Sequence, residues 1–504
     1  MHKLDRIAQL AIPNPWGIAF DPWGQPFFAE TSSPDVRWMT PGTVLPRYGE
    51  ATHKGVQLIE KDHMVRPTSG LEFVSSRHFP EEVQGDLLLN NTIGFLGTKQ
   101  HQIWDEGTGY KTKHRQDLLV ATDRNFRPVD MEFAPDGSLY LVDWHNILIG
   151  HMQHNARDPL RDHVHGRIYR ITYPSRPLVT PAKIAGASIE TLLDNLTLPE
   201  YRTRYRTRRE LRGRPPGEVM PKLDQWLRAL AKDDPQYEHH QLEGLWVSWG
   251  LNKVDQVLLK QLLHAKDYRV RAAAVEVLRF TGHQVKDQAE LLMQAVQDEN
   301  SRVRLGAIVA ASWMEKEKGL PILEEAKKKP LDEWMIHAHA TAVAHLSGQA
   351  VSKEKEVYST THLKGKDFEL FNLGKAIYAK EGYCVTCHQA DGNGLPASGF
   401  PPISTTPWAT GSEDRLVKII LKGMIGSIEV KGKNYAGSVP MTPFEGLLND
   451  QEVAAVATYI RNSFGNKASV VQPEKVAQIR AAVKRKKDFY QSRQLLKEHP
   501  LEGK

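Results

Sequence analysis

The chain's only two cysteines, Cys384 and Cys387, stand three positions apart and are followed directly by His388. Two thiols one helical turn apart can each bond a vinyl group of the same porphyrin, and the adjacent imidazole then reaches the iron. A zinc site would require two further close ligands, and a thioredoxin-like dithiol would require a βαβ context that the surrounding sequence lacks. The motif therefore predicts one covalently attached c-type haem with His388 as an iron ligand.

The segment around this motif, residues 367–465, has the order of elements expected of a small haem domain. A helical pattern precedes the motif, a Gly-rich turn and a loop with two prolines follow it, and a capped amphipathic helix closes the segment. This order resembles the class I cytochrome c family across the whole segment. The resemblance implies that Met441, in a Pro-braced loop, is the sixth iron ligand, with Met424 as the alternative. Such ligation favours electron transfer, whereas peroxidase-type catalysis would require a displaceable Met441.

The elements that position this domain begin with a β-rich stretch, residues 1–175. Within it, the sequence NPWGIAFDPWG from Asn14 returns as RPVDMEFAPDG from Arg127, and a looser copy begins at Arg66. Each copy is a Pro-led alternating strand, and a Gly-containing turn and a second strand follow in the two outer copies. Repeats of about 50–60 residues predict β-propeller blades. A β-sandwich with accidental internal similarity is the alternative.

Three blades are too few to close a propeller, which needs roughly four to eight. The N-terminus also lacks the charged start and apolar stretch of a secretory signal, although a c-type haem predicts a periplasmic or cell-surface location. Both absences are explained if the chain is a C-terminal fragment or its start codon is misassigned. No apolar run approaches the roughly 18 residues of a membrane span. The net charge of +6 gives no case for nucleic-acid binding.

From residue 188 to residue 350 the sequence changes to a helical period. The sequence DYRVRAAA from Asp267 recurs as NSRVRLGA from Asn300, which predicts close-packed HEAT-like repeats of an α-solenoid. The Arg-rich run that begins at Tyr201 is more typical of a solvated helix face, or a partner of acidic loops, than of a nucleic-acid site. A polar linker, 351–366, precedes the haem domain, and a basic tail, 466–504, is expected to form one exposed helix.

A polar cluster after the last predicted strand holds the candidates for a catalytic or metal site. Five of the chain's 21 histidines fall within residues 145–165. The candidate residues are His154, Arg157, Asp158, His163 and His165. The last two would share one face of a strand, as metal ligands can, and Arg157 with Arg161 would clamp an anionic group. The alternative is structural, with Arg–Asp pairs that lock the last blade to the solenoid.

Two stretches of this cluster, GHMQHNARDP from Gly150 and DHVHGRIYRI from Asp162, resemble the membrane-bound dehydrogenase family of planctomycetes, verrucomicrobia and bacteroidetes. Its members join a quinoprotein-like propeller, HEAT repeats and a C-terminal cytochrome c domain in this order. The resemblance implies an exported redox protein with a sugar-like substrate. Its electrons would pass to a redox partner protein or a membrane acceptor, and its propeller would hold pyrroloquinoline quinone and Ca²⁺.

These observations together predict a multidomain chain: a partial β-propeller, an α-solenoid and an all-α cytochrome c domain. The expected function is the electron-transfer limb of an exported sugar or alcohol dehydrogenase. The alternative is a non-catalytic, haem-bearing binding scaffold, because fold alone does not select between the two.

Overall fold

The structure is a computed structural model that describes residues 14–31, 35–39, 55–148, 159, 161–348, 362–380, 383–396, 399–437 and 440–501. Its N-terminal part contains three antiparallel sheets of three, four and three strands. The strands are β1 (Pro15–Phe20), β2 (Pro26–Glu30), β3 (Asp35–Trp38), β4 (Thr68–Phe73), β5 (Leu87–Asn91), β6 (Gly97–Glu106), β7 (Gly109–Val120), β8 (Pro128–Phe133), β9 (Leu139–Asp143) and β10 (Arg167–Ile171). Strands that follow each other along the chain are also neighbours within each sheet.

The two repeated hairpins predicted from the sequence are confirmed, since β1 pairs with β2 and β8 pairs with β9. Each turn contains a glycine with positive φ, 84° at Gly24 and 80° at Gly137, a conformation that residues with a Cβ atom rarely adopt. Strand β9 then alternates between buried and exposed residues, as a half-buried strand should. The described strands of the N-terminal part form three separate sheets, so this part is sheet-rich and the propeller remains a prediction.

Helices occupy the middle of the chain. They are α1 (Ile189–Asp194), α2 (Tyr201–Arg212), α3 (Pro216–Ala229), α4 (Tyr237–Gly250), α5 (Gln256–Leu262), α6 (Tyr268–Thr281), α7 (Gln288–Ala295), α8 (Ser301–Ala311), α9 (Lys316–Ala326) and α10 (Glu333–Leu346). The repeated polar residues are N-caps, because the side chains of Asp267 and Asn300 each accept a hydrogen bond from the amide two residues later. Helices α6 and α8 approach closely where Gly306 faces Val275.

The Arg-rich run lies on α2 and joins the helices to the sheets. Arg202 pairs with Glu72 of β4 at 2.6 Å, and Arg206 pairs with Glu132 of β8 at the same distance. Both carboxylates belong to the N-terminal sheets, so the run connects two parts of the fold. These ion pairs support its interpretation as a partner of acidic groups.

The C-terminal part is mostly helical. Its helices are α11 (Gly365–Tyr378), α12 (Cys384–His388), α13 (Pro407–Thr410), α14 (Glu413–Lys422), α15 (Asp450–Arg461), α16 (Pro473–Val483) and α17 (Ser492–Glu498). Its short strands are β11 (Met424–Ile425), β12 (Ile428–Val430), β13 (Lys433–Tyr435) and β14 (Tyr490–Gln491). The capped helix predicted near the end of the haem domain is α15, where Asn449 and Glu452 form a capping box. None of the helices within the described residues is both long and apolar enough to cross a bilayer.

The prediction of one exposed helix for residues 466–504 is wrong. The described part of this tail contains α16, β14 and α17, and β14 pairs in parallel with β11 of the haem domain. Val476, Ile479 and Leu495 are buried in the same apolar cluster as the haem-domain helices. The many lysines of the tail obscure this apolar stripe, which is what attaches the tail to the domain.

The predicted shared strand for His163 and His165 is also wrong. Both residues lie in the bend before β10, and both are exposed. The Asp162 carboxylate accepts hydrogen bonds from the amides of Val164 and His165, and these bonds hold the segment in a turn. A side chain that competes locally for backbone amides favours a turn over a strand.

Helices α11 and α15 cross at Gly374. A Cβ atom at this position would lie 2.0 Å from the carbonyl oxygen of Ala455 and 2.9 Å from Cβ of Tyr459. We expect Gly374→Ala to destabilise this helix pair by about 1–3 kcal/mol, because overpacking forces the two helices apart. This loss outweighs the better helix propensity of alanine, worth roughly 1 kcal/mol. Hydrogen–deuterium exchange at the amides of both helices measures the effect.

Gly217, at the start of α3, provides the matched control. A Cβ atom there would have no neighbour within 4 Å, so Gly217→Ala should leave exchange in α11 and α15 unchanged. Equal exchange in the two variants would show that the crossing has room for a side chain.

Candidate haem site

The two cysteines lie on the single turn of α12. Cys384 is buried and Cys387 is partly buried, and the two thiols are not joined by a disulfide. Burial raises the pKa of Cys384 to about 12, with a smaller contribution from the neighbouring Cys387. Burial also raises the pKa of Cys387, although the charge of Arg66 opposes it. Redox-active CxxC pairs have lowered thiol pKa values, so this environment does not fit the thioredoxin-like alternative.

His388 ends the same turn and is oriented by a backbone contact. Its Nδ1 lies 3.0 Å from the carbonyl oxygen of Pro401, and burial lowers the pKa of the imidazole. The neutral ring therefore donates from Nδ1 and leaves the lone pair of Nε2 available for a metal. Pro401 belongs to the loop with two prolines that follows the haem motif, so this loop packs against His388.

Met441 and Met424 lie opposite each other in an isolated antiparallel bridge. The amide of Met441 donates to the carbonyl of Met424 at 2.7 Å, and both side chains line the cavity described below. Gly423 permits this approach, since a Cβ atom there would be 2.2 Å from the carbonyl oxygen of Met441. Directly opposed residues of a ladder project to the same side. The structure thus brings together the two methionines that the sequence offered as alternatives.

These side chains line one cavity of about 710 Å³. Its C-terminal walls are mostly apolar and include Phe400, Trp408, Leu416, Ile420 and Phe444. A volume of this size, with apolar walls and few polar groups, is typical of a cofactor site. Two thiols, one oriented imidazole and two thioethers around an apolar cavity fit a covalently bound haem.

The N-terminal sheets also contribute to this cavity, which sequence reasoning missed. Arg66 is 7% exposed, and its Nη1 lies 3.8 Å from the sulfur of Cys387. Trp16, Arg127 and Trp144 line the same side of the cavity. The sequence singled out Arg66 and Arg127 only as the starts of repeat copies. Nothing local connects them to a motif more than 250 residues away.

The described residues of the polar cluster do not form a metal site. His154, Arg157 and Asp158 lie outside the described residues. His165 is exposed, with its Nδ1 2.8 Å from a carboxylate oxygen of Asp162. Groups of three or more potential metal ligands are absent from the described part of the chain. The catalytic role of these residues therefore remains a prediction.

Three families match the chain by sequence. Residues 371–464 match Cytochrome c, residues 256–344 match HEAT repeats, and residues 3–175 match a domain of unknown function, DUF7133. The first two matches confirm the predicted haem domain and helical repeats. The third covers the sheet-rich part and names no activity for it.

Similar proteins are known for part of the chain. Cytochrome c-552 of Thermus thermophilus is 37% identical over 101 residues, which make up 19% of this chain and 72% of that protein. The cytochrome c subunit of a quinone alcohol dehydrogenase from Gluconacetobacter polyoxogenes is 37% identical over 97 residues, 19% of each chain. The cytochrome c subunit of gluconate 2-dehydrogenase from Pantoea cypripedii is 33% identical over 138 residues, 27% of this chain and 29% of that subunit. The chain thus spans less than a third of either dehydrogenase subunit.

The cytochrome c match and the similar proteins agree with the chemistry of the residues that line the cavity. All of them point to a covalently bound haem c in the C-terminal part, and the residues around the cavity suit such a group. Through this domain the chain belongs to the cytochrome c family, and its function is haem-based electron transfer.

Proposed function

We propose that Cys384 and Cys387 would attach the haem through thioethers and that His388 and Met441 would bind its iron. The support is local: the two sulfurs share one helical turn, and the Nδ1 contact with Pro401 leaves Nε2 for the iron. The haem supplies a one-electron ferric–ferrous couple when it is bound. The protein's part is to hold both ligands in place and to exclude water with an apolar cavity, and both raise the reduction potential.

We further propose that the chain is the electron-transfer limb of an exported dehydrogenase-like protein that oxidises a sugar or alcohol. Two of its relatives are cytochrome c subunits of an alcohol dehydrogenase and a gluconate dehydrogenase. The contact between the haem domain and the N-terminal sheets supports the proposed electron-transfer role, because residues of the N-terminal sheets line the same cavity as the haem-motif residues. A periplasmic or cell-surface location and a protein or membrane electron acceptor belong to this proposal.

The organisation that accompanies this proposal has three parts. Residues 1–175 would be a partial propeller of the membrane-bound dehydrogenase type, 188–350 the solenoid, and 367–465 the haem domain, with 351–366 as linker and 466–504 as tail. The three hairpin-built sheets support the first part. Pyrroloquinoline quinone and Ca²⁺ in the sheets remain predictions, and no group of three or more potential metal ligands occurs among the described residues.

The observation that carries the proposal is the cavity that joins the haem ligands to the N-terminal sheets. It is tested on the full chain, produced with an export signal and the haem-attachment machinery. We expect a haem that stays bound after denaturation and a reversible one-electron potentiometric titration. A non-covalent haem, or a high-spin iron that binds small ligands and reduces peroxide, would contradict the electron-transfer proposal and favour catalysis at the iron.

A further inference from the structure

A run of four positive charges lies in the tail that packs against the haem domain. It follows helix α16 and forms the basic segment, which consists of Lys484, Arg485, Lys486 and Lys487. Three of these side chains are exposed, and the ammonium group of Lys486 lies 4.6 Å from the centre of the Tyr490 ring. Asp488 comes next and is also exposed, so positive charge predominates at this surface.

The charges of the basic segment are not balanced by ion pairs. None of its four residues pairs with a carboxylate in the part of the chain that the structure describes. By contrast, Arg480 of α16 pairs with Asp450 at 2.6 Å, and Lys475 pairs with Asp414 at 2.7 Å. Adjacent like charges repel one another, so the segment has an energetic cost in the isolated chain. A partner that carries negative charge would offset this cost.

The fold of the tail does not depend on the basic segment. Buried apolar residues attach the tail to the haem domain, among them Val476, Ile479, Tyr490 and Leu495. The tail also lies beyond residues 371–464, which match Cytochrome c. The basic segment is therefore an addition to the haem domain, and its charges are available for another role.

The basic segment is held beside the wall of the cavity that contains both methionines. Tyr490, three residues after Lys487, lies opposite Met424 where β14 pairs with β11. Its amide donates to the carbonyl of Gly423 at 3.2 Å, and Met424 itself lines the cavity. Paired strands lie about 4.8 Å apart, so a molecule bound to the basic segment is close to the proposed haem.

The chemistry around the basic segment favours a protein over a lipid surface. Segments that bind at a membrane surface combine basic residues with large apolar side chains that insert between lipids. Residues 484–497 contribute none of the large apolar side chains that are exposed in the described chain. The anionic leaflet that attracts basic segments is the cytoplasmic one, whereas the location proposed for this chain is outside the cytoplasm. Carboxylates on a protein therefore suit the basic segment better.

We propose that the basic segment is the docking surface for an acidic redox protein. Carboxylates of this partner pair with Lys484, Arg485 and Lys487, and the attraction speeds association and is screened by salt. One electron then passes between the partner's redox centre and the haem iron, so that one is oxidised as the other is reduced. This inference rests on the proposed haem attachment and electron-transfer function, and it names the chemistry of the redox partner.

The experiment is stopped-flow reduction of the ferric full-length holoprotein by an acidic plant-type ferredoxin, whose low potential makes it an electron donor. One electron passes from the reduced iron–sulfur cluster to the ferric haem, and the visible spectrum records the ferrous product. The variant Lys484→Gln/Arg485→Gln/Lys487→Gln removes three exposed charges. We expect it to react about 10-fold more slowly than the unaltered protein at low salt. The difference should vanish in about 1 M salt, where charges are screened within about 3 Å.

A triple variant in the middle of the chain is the matched control. Lys232, Lys253 and Lys286 are exposed, do not line the cavity, and form no ion pair within the described residues. Lys232→Gln/Lys253→Gln/Lys286→Gln therefore removes the same charge from another surface, and it should react at the rate of the unaltered protein. Equal slowing in both triple variants, or no slowing in the basic-segment variant, would overturn the proposal.

Co-sedimentation with lipid vesicles tests a membrane as the alternative occupant of the basic segment. The vesicles contain equal parts of phosphatidylcholine and phosphatidylserine, and we expect no binding at physiological salt. Vesicle binding that the basic-segment variant loses, together with an unchanged ferredoxin rate, would overturn the proposal and assign the segment to a membrane surface.

Reduction by dithionite separates this test from the proposed function. A covalent haem that dithionite reduces, with the same ferredoxin rate in the unaltered protein and the basic-segment variant, would overturn the docking surface alone. A protein without covalent haem, or a haem that dithionite does not reduce, would contradict the proposed function itself.

Discussion

Replacing both Cys384 and Cys387 with alanine is expected to abolish covalent haem in the full chain completely. The chain contains no other cysteine, so no other thiol can form the thioether bonds. His388 and the apolar cavity remain in this variant, and any haem that enters is then held only by coordination and packing. Haem staining after denaturing electrophoresis, together with extraction into acidified organic solvent, measures the loss.

Val385→Ala is the matched control for this experiment. Val385 lies between the two cysteines on α12 and is partly buried, so its truncation alters the same turn and leaves both thiols and His388 in place. It should retain covalent haem, and each single cysteine variant should retain at most one thioether bond. Haem that stays bound to the double variant after denaturation would show that these cysteines are not the attachment site.

Met441→Ala is expected to remove the iron–thioether absorption band and to lower the reduction potential of the haem. Methionine is a weak donor that stabilises ferrous iron, and its replacement by water favours the ferric form. We expect a fall on the order of 0.1–0.3 V, a fraction of the roughly 0.8 V range that axial ligands control. Spectropotentiometry of the purified variant gives both quantities.

Met424→Ala is the decisive control, because Met424 lies opposite Met441 in the same bridge. If Met441 is the ligand, Met424→Ala keeps the band and changes the potential little. Loss of the band in Met424→Ala, with the band kept in Met441→Ala, would identify Met424 as the iron ligand. A band that disappears only in the double variant would show that either thioether can bind the iron, which contradicts a unique role for Met441.

The confirmed predictions from the sequence concern residues that are close together in the chain. The haem motif is read from five consecutive residues, because one helical turn is enough to place two thiols and an imidazole. The same is true of the capping box of Asn449 and Glu452, whose bonds stay within three residues, and of the Gly24 and Gly137 turns. In each case the partners are close in sequence, so spacing alone determines the geometry.

The predictions that were wrong concern backbone structure that the residue pattern alone did not indicate. Tail residues 466–504 look solvent-exposed by composition, yet β14 pairs with β11 and buries an apolar stripe that is visible only in the fold. His163 and His165 alternate as in a strand, but the Asp162 carboxylate caps a turn there instead.

The sequence by itself determined that this chain binds haem c, because covalent attachment needs only a short motif. The family match agrees with that conclusion. Only the tertiary structure decided what surrounds the haem motif. It placed Met424 beside Met441 and brought Arg66 to Cys387 across 321 residues of sequence. Contacts of this kind depend on how whole sheets and helices pack, and no local pattern encodes that packing.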